Sequence, residues 1–247
     1  MLPSSSSLAL ALALTLPAAD PDAPPTGVYT AEAVADSPTL AASGLVWWKD
    51  RLVIADRVGK RLVAFTPPGT FETLKEVPHP VGPAVTPDGD LVYTDKEPPR
   101  VTRLKADGTA TLIADENVGT PHFATVHKSG RVFWSGFPDG GTRSAAPGEP
   151  VTVHAPRIVH TYGIGLSPKQ DWLYVASKIP NPDQRGVWRF PVDAAGKAGT
   201  GEVFFKVQDL KPDVPNLPAA KDGATSLLGW VGRLQGLAVD RLGYIYI

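Results

Sequence analysis

The sequence predicts an all-β fold made of repeated four-stranded sheets arranged around an axis. Three observations carry this prediction. An apolar strand, a tight polar turn and a second strand rich in aromatic residues recur along the chain roughly every 40 residues, as in propeller repeats. A second hairpin follows the first in several repeats, and two hairpins supply the four strands of one β-propeller blade. Pro and Gly are frequent, at 26 and 24 of 247 residues, which suits a fold with many turns.

The repeats align on one residue near the start of the first strand of each repeat. These residues are Gly44, Gly82, Phe123, Gly163 and Gly236. The first four follow one another at nearly even intervals, and the last interval is almost twice as long. A single four-stranded blade leaves both of its faces exposed, so consecutive blades must stack to bury them. The regular interval therefore predicts one blade for each repeat.

Each repeat opens with a β-hairpin. Asp88-Gly89 and Ser129-Gly130 lie between alternating apolar runs, where the turn needs a residue with positive φ. Residues 100–115 and 186–206 each follow with a second pattern of strand, turn and strand. Residues 44–56 are a degenerate first copy of the opening hairpin.

The long interval before Gly236 contains an additional segment, residues 206–233, which we interpret as a loop insertion. It has three prolines and little alternation, and Pro removes a hydrogen bond from a strand ladder. The chain then holds four blades and the first hairpin of a fifth, about four and a half in all. We expect the natural chain to continue beyond Ile247 and to close the ring, with residues 28–36 as a candidate outer strand, because an open array leaves strand edges bare.

Residues 1–19 have the features of an export signal. Leu8–Leu16 is an apolar run of nine residues, and Pro17-Ala18-Ala19 resembles a small-residue cleavage site. The run is too short to span a bilayer, and no Lys or Arg precedes it. The alternative is a misassigned start codon or an apolar tail. Export to the periplasm or the medium is expected, with a Pro-rich linker at 20–27 and the propeller domain at 28–247.

Composition excludes several classes of function. The net charge of −1 gives no general attraction to nucleic acid or to an anionic membrane. The absence of Cys excludes disulfides, thiolate metal sites and Cys nucleophiles. The six Trp suit blade packing. The exception is Trp230, which lies in the insertion and is a candidate lid over the axial tunnel or an apolar plug beneath the loop.

Three segments resemble the senescence marker protein/gluconolactonase/luciferin-regenerating-enzyme family. Residues 161–177, TYGIGLSPKQDWLYVAS, are similar to its Pro-Asn-Gly-Leu-x-x-Ser-Pro-Asp-x-x-x-Leu-Tyr-Val-Ala segment. Residues 121–136 and 234–243 resemble its Pro-Asn-Asp and Pro-Asp-Gly-Leu segments. The resemblance covers residues 40–247. It implies a six-bladed propeller, often a lactone hydrolase, with one divalent cation such as Ca²⁺ on the axis.

The cation ligands of that family fall on other residue types in this chain. Its Glu position is Ser43, its Asn in Pro-Asn-Gly is Tyr162, and its Asp in Asp-Gly is Gln235. Its Pro-Asn-Asp segment places His122 and Phe123 at the Asn and the Asp. A neutral ring binds Ca²⁺ or Mg²⁺ weakly, since these ions prefer several carboxylate oxygens. The sequence therefore supports the shape of the family but no metal site at these positions, and the cofactor stays unknown.

The axial ring supplies the candidate functional residues. The ring comprises Ser43, Val81, His122, Tyr162 and Gln235. His122 and Tyr162 are a candidate acid–base pair, or they hydrogen-bond one another or tunnel water and fill the axis. His79 and His160 lie on loops expected at one mouth of the tunnel, and they are candidate ligand-binding residues, as are Ser43, Gln235 and Trp230. With His122 these two histidines also suit a Zn²⁺ or late-transition-metal site, or they are ordinary surface-loop histidines.

Two functions follow from these patterns. The first is an exported hydrolase of a lactone or a related ester. The second is a non-catalytic propeller, similar to NHL repeats, that binds a small ligand in the axial tunnel or a protein partner, because the family's carboxylates are missing. Either ligand is expected at a concave tunnel mouth. A purely structural scaffold is a third interpretation, and the polar ring disfavours it.

Overall fold

The computed structural model describes residues 10–13, 32–35, 39–66, 69–137, 140–154, 158, 160–177, 185–206 and 236–246. This part of the chain consists of β-strands and their turns, with no α-helix. Accordingly, none of the described segments is a helix that could cross a membrane. The predicted linker at 20–27 and most of the predicted export signal and insertion lie outside the described residues.

Twenty strands are present in the described chain. A short antiparallel pair comes first, β1 (Leu10–Ala13) with β2 (Glu32–Ala35). The first four-stranded sheet is β3 (Ala42–Trp48), β4 (Arg51–Asp56), β5 (Arg61–Thr66) and β6 (Thr70–Glu76). The second is β7 (Ala84–Val85), β8 (Leu91–Lys96), β9 (Pro99–Leu104) and β10 (Ala110–Ala114). The third is β11 (Pro121–Val126), β12 (Val132–Gly136), β13 (Thr142–Ala145) and β14 (Thr152–His154). The fourth is β15 (Thr161–Leu166), β16 (Trp172–Ser177), β17 (Gly186–Pro191) and β18 (Glu202–Lys206), and β19 (Ala238–Val239) with β20 (Ile245–Tyr246) form a last pair.

Every four-stranded sheet is an antiparallel meander in which the strands are ordered as in the chain. The predicted turns are present, because Gly89 and Gly130 have φ of 81° and 86° between their strands. The second hairpins predicted at 100–115 and 186–206 correspond to β9–β10 and β17–β18. The prediction of an all-β fold with four four-stranded blades and the first hairpin of a fifth is therefore confirmed.

The core consists of separate apolar layers between successive blades. Side chains alternate between the two faces of a strand, so each blade can bury one set against each neighbour. Trp48 and Leu62 pack with Tyr93 between the first and second blades. Trp134 packs with Val92 between the second and third. The layer between the third and fourth blades contains Phe133, Leu173 and Phe190.

The glycines that mark most of the repeats are explained by the close approach of neighbouring blades. A Cβ on Gly82 would lie 2.5 Å from both the carbonyl oxygen of His122 and the Cα of Phe123. Gly44 and Gly163 meet the backbone of the following blade in the same way, with nearest atoms at 2.4 and 2.5 Å. No real Cβ tolerates such distances, so the first strand of each blade lies against the next blade as its innermost strand.

Hydroxyl side chains join these innermost strands. Thr94 Oγ1 accepts a hydrogen bond of 3.0 Å from the N–H of Gly82 and donates to the carbonyl oxygen of His122. Thr161 Oγ1 lies 3.0 Å from the carbonyl oxygen of Gly136 in the preceding blade. The backbone of the inner strands is therefore held by buried polar contacts from one blade to the next.

Candidate functional site

The candidate site lies at one end of the blades, near the innermost strands. The first two strands of a blade are antiparallel, so the start of the first and the end of the second lie at the same end. We call this end the inner rim. It contains the predicted residues Ser43, His79, Val81, His122, His160 and Tyr162, together with Arg57, Lys96 and Phe137, which follow or end the second strands.

Three aromatic rings from the third and fourth blades meet at the inner rim. The ring centroids of His122 and Tyr162 are 5.1 Å apart with an interplanar angle of 66°. Phe137 lies against Tyr162 at 4.8 Å and against His122 at 6.2 Å. His122 and Tyr162 therefore meet in an edge-to-face ring contact, and Phe137 completes the surface.

His122 is an uncharged imidazole in this environment. Its Nδ1 is buried and has no hydrogen-bond partner in the described structure. Burial lowers the pKa of His122 to about 3, and the positive charges of Lys96, Arg57 and His79 contribute to the same shift. A group with so low a pKa is a weak base at neutral pH, so the site offers a neutral nitrogen in place of a poised general base.

Tyr162 is a buried phenol in its protonated form. Burial raises the pKa of its hydroxyl above the ordinary value. At neutral pH the hydroxyl can therefore donate a hydrogen bond to an oxygen of a ligand. Tyr162 and His122 together present neutral polar groups on an aromatic surface.

Two cations flank the neutral rings. Lys96 ends β8 and Arg57 follows β4, each directly after an aspartate. Burial lowers the pKa of Lys96, and the nearby charge of Arg57 lowers it further. In the part of the chain that the structure describes, neither side chain forms an ion pair.

The aspartates before these cations serve the fold. Asp56 and Asp95 are fully buried. The carboxylate of Asp95 accepts hydrogen bonds from the N–H groups of His79 and Glu97 at 3.0 and 3.1 Å, and Arg100 pairs with it at 3.2 Å. Asp56 repeats the arrangement with Arg61 at 3.2 Å. Both carboxylates are therefore occupied at the base of the rim.

The other predicted site residues make contacts of their own or lie outside the described residues. The hydroxyl of Ser43 lies 3.0 Å from the carbonyl oxygen of Pro80 and 3.3 Å from that of Ala55, so it bonds backbone between two blades. Val81 is buried. His160 contacts the edge of Phe137 with centroids 5.0 Å apart, and His79 Nδ1 is 3.9 Å from a carboxylate oxygen of Glu97. The candidates Gln235 and Trp230 lie outside the described residues.

The inner rim does not fit the divalent cation implied by the family resemblance. Its hydroxyl at Ser43 is bonded to backbone carbonyls, and its charged groups Arg57 and Lys96 would repel a cation. No group of three or more His, Asp or Glu among the described residues could hold a metal ion. The structure therefore does not gather His79, His122 and His160 into the zinc or late-transition-metal site that was one hypothesis for them.

Sequence reasoning missed Arg57, Lys96 and Phe137. A signal for the two cations exists, because the second strands of the first two repeats both end in Asp followed by a basic residue. The stronger repeat pattern lies in the first strands and their glycines. Phe137 stands in the third repeat where Arg57 and Lys96 stand in the first two, so the repeats give no signal for an aromatic residue there.

Comparison with known proteins establishes the fold. No protein-family model and no curated protein matches the chain. A gluconolactonase from Xanthomonas campestris matches with a TM-score of 0.62 and 21% identity, over 84% of this chain and 69% of its own. A chain of the nidogen/laminin complex matches with a TM-score of 0.59 and 16% identity, over 65% of this chain and 64% of its own. Regucalcin, a calcium-binding protein from Agrobacterium tumefaciens, matches with a TM-score of 0.53 and 20% identity, over 67% of this chain and 59% of its own.

The matches confirm the predicted architecture at the level of the fold. The chain spans between 59% and 69% of the length of these structures. The resemblance drawn from sequence is also supported at that level, since a gluconolactonase and a regucalcin are among the matches.

Proposed function

We propose that the protein is a gluconolactonase-like propeller that hydrolyses a lactone or a related ester at the inner rim. The observation that carries the proposal is the meeting of His122, Phe137 and Tyr162 where the innermost strands begin. The likeness to the Xanthomonas gluconolactonase supports the substrate class. Aromatic side chains with a small number of polar groups are typical of the lining of a small-molecule site.

The reaction requires the rim to bind a ring and to stabilise an oxyanion. Water adds to the lactone carbonyl carbon, the ring C–O bond breaks, and the ring oxygen takes a proton, which yields a hydroxy acid. The phenol of Tyr162 can donate to the carbonyl oxygen as negative charge develops there. The neutral His122 can orient the water or the ring, and its low pKa places it outside the role of a strong base.

A lactone panel tests the proposal. The natural full-length chain would be assayed on several sugar lactones and homoserine lactones beside the Tyr162→Phe variant. We expect turnover of at least one lactone and a fall on the order of 10²-fold in Tyr162→Phe, as for loss of an oxyanion donor. Tyr174→Phe is the matched control, since Tyr174 lies on β16 of the same blade. No turnover, or an equal effect of the two substitutions, would reject the proposal.

A non-catalytic ligand-binding propeller is the second candidate. The observation that favours it is the low pKa of His122, which makes this imidazole a weak general base at neutral pH. A propeller chain from the nidogen/laminin complex is also similar in fold. Saturable binding of a lactone without hydrolysis would select this candidate.

We also propose export of the protein, on the apolar run at Leu8–Leu16 and the small residues after it. Expression in a bacterial host followed by fractionation and N-terminal sequencing tests this. A mature protein outside the cytoplasm that begins near Asp20 is expected, and an intact N-terminus in the cytoplasm would contradict it.

A further inference from the structure

The inner rim carries two positive charges that the fold does not use. Arg57 is exposed and Lys96 is half-buried, and neither forms an ion pair within the described residues. The guanidinium groups of Arg61 and Arg100, five residues after the neighbouring aspartates, are paired with those carboxylates. The partial burial of the Lys96 ammonium near Arg57 costs free energy, because the ammonium loses hydration and the second cation repels it.

Strand β8 directs the charge of Lys96 toward the aromatic residues. Thr94 Oγ1 donates to the carbonyl oxygen of His122, so this side of β8 faces the third blade. Lys96 is two residues further along the same strand and therefore on the same side as Thr94. The charges of Lys96 and Arg57 both act on His122, which is consistent with this placement. The charge of Glu97 also acts on Lys96, but its side chain is 78% exposed and lies 3.9 Å from Nδ1 of His79.

We propose that Arg57 and Lys96 bind the carboxylate of a small hydroxy acid, whose hydroxylated body lies on the surface of His122, Phe137 and Tyr162. A carboxylate supplies the negative charge that this pair lacks, and an ammonium or guanidinium donates charge-assisted hydrogen bonds to it. The inference rests on the proposed function, since lactone hydrolysis releases such an acid. The inner rim, which does not fit a divalent cation, is in this proposal a binding site for an anion.

Isothermal titration calorimetry with gluconate tests the inference. The full-length chain would be titrated at low ionic strength with sodium gluconate, with neutral sorbitol and with sodium sulfate. We expect gluconate to bind and sorbitol to bind at least about tenfold more weakly, as loss of a hydrogen bond to a charged group implies. Binding should weaken as salt is added, because the rim is open to solvent.

Variants locate the site. Lys96→Gln and Arg57→Gln should each weaken gluconate binding about tenfold. Lys105→Gln is the matched control, because Lys105 is exposed just after β9, at the opposite end of the same blade, and it should bind like the parent. Thermal unfolding of each variant verifies that it is folded.

The outcomes separate this inference from the proposed function. Gluconate binding that is lost in Lys96→Gln supports the anion site, whether or not the parent hydrolyses a lactone. Equal binding of gluconate and sorbitol, tight binding of sulfate in preference to gluconate, or unchanged binding in both variants would overturn it. Lactone turnover with no affinity for gluconate would leave the proposed function standing and reject the anion site.

Discussion

At the scale of single residues, burial keeps two histidines of the third blade uncharged. His122 has a pKa of about 3, and His154, which hydrogen-bonds the hydroxyl of Ser144 at 2.9 Å, has a pKa of about 4, in both cases chiefly through burial. Both values lie below the ordinary pKa of about 6.5 that each imidazole regains on unfolding. Folding therefore opposes protonation at two histidines of the third blade.

Acid is predicted to destabilise the protein through these histidines. Between about pH 6.5 and pH 3–4 the unfolded chain binds protons that the folded chain does not, so the free energy of unfolding falls as the pH falls through this range. Urea unfolding at a series of pH values measures the slope. His122→Gln should flatten the slope between pH 6 and pH 4, and an identical slope in the variant would contradict the account of His122.

The buried aspartates are predicted to be structural. Asp95→Asn should lower the free energy of unfolding by about 2–4 kcal/mol, because Arg100 loses its partner and two backbone N–H groups lose a charged acceptor. Glu72→Gln is the control, since the pair of Glu72 with Arg51 is exposed and should contribute about 1 kcal/mol or less. Chemical denaturation of both variants tests the difference, and equal effects would contradict it.

At the scale of strands, the contact between blades depends on the absence of a side chain at the repeated glycine. Gly82→Ala should lower the free energy of unfolding by about 1–3 kcal/mol, because the new Cβ meets backbone atoms of His122 and Phe123 that cannot move aside. Gly236 is the matched control at the same position of the fifth repeat, where no atom lies within 4 Å of the added Cβ. Gly236→Ala should change stability by about 0.5 kcal/mol or less. A smaller loss for Gly82→Ala than for Gly236→Ala would contradict the packing account.

The strands were predictable because their signal is local. Alternation and turn glycines such as Gly89 and Gly130 define hairpins within a short stretch of sequence, and the structure has those hairpins. The role of the repeat glycines was not predictable in the same way, because it depends on the approach of a strand from the next repeat. The hydrogen bond of the Ser43 hydroxyl was not predictable for the same reason, because its partner Pro80 lies outside its own blade.

At the scale of the whole molecule, the candidate site is formed by the stacking of successive blades. Each blade places the start of its first strand and the end of its second at the inner rim, so residues from four repeats contribute to one surface. The family pattern located His122 and Tyr162 on this surface, because the pattern follows strand starts. It could not reveal Arg57 and Lys96, whose importance depends on the charge that they bring to residues of another blade.

The inner rim presents neutral aromatic residues beside two cations, and the described residues gather no group of acidic side chains that could hold a metal ion. The initial rate of lactone hydrolysis by the full-length chain, after EDTA treatment and then during titration with Ca²⁺, measures whether the reaction at this rim needs a divalent cation. We expect turnover that survives EDTA and does not increase with Ca²⁺, because Arg57 and Lys96 disfavour a divalent cation at the rim. Turnover that disappears in EDTA and returns with Ca²⁺, or no turnover under any condition, would contradict it.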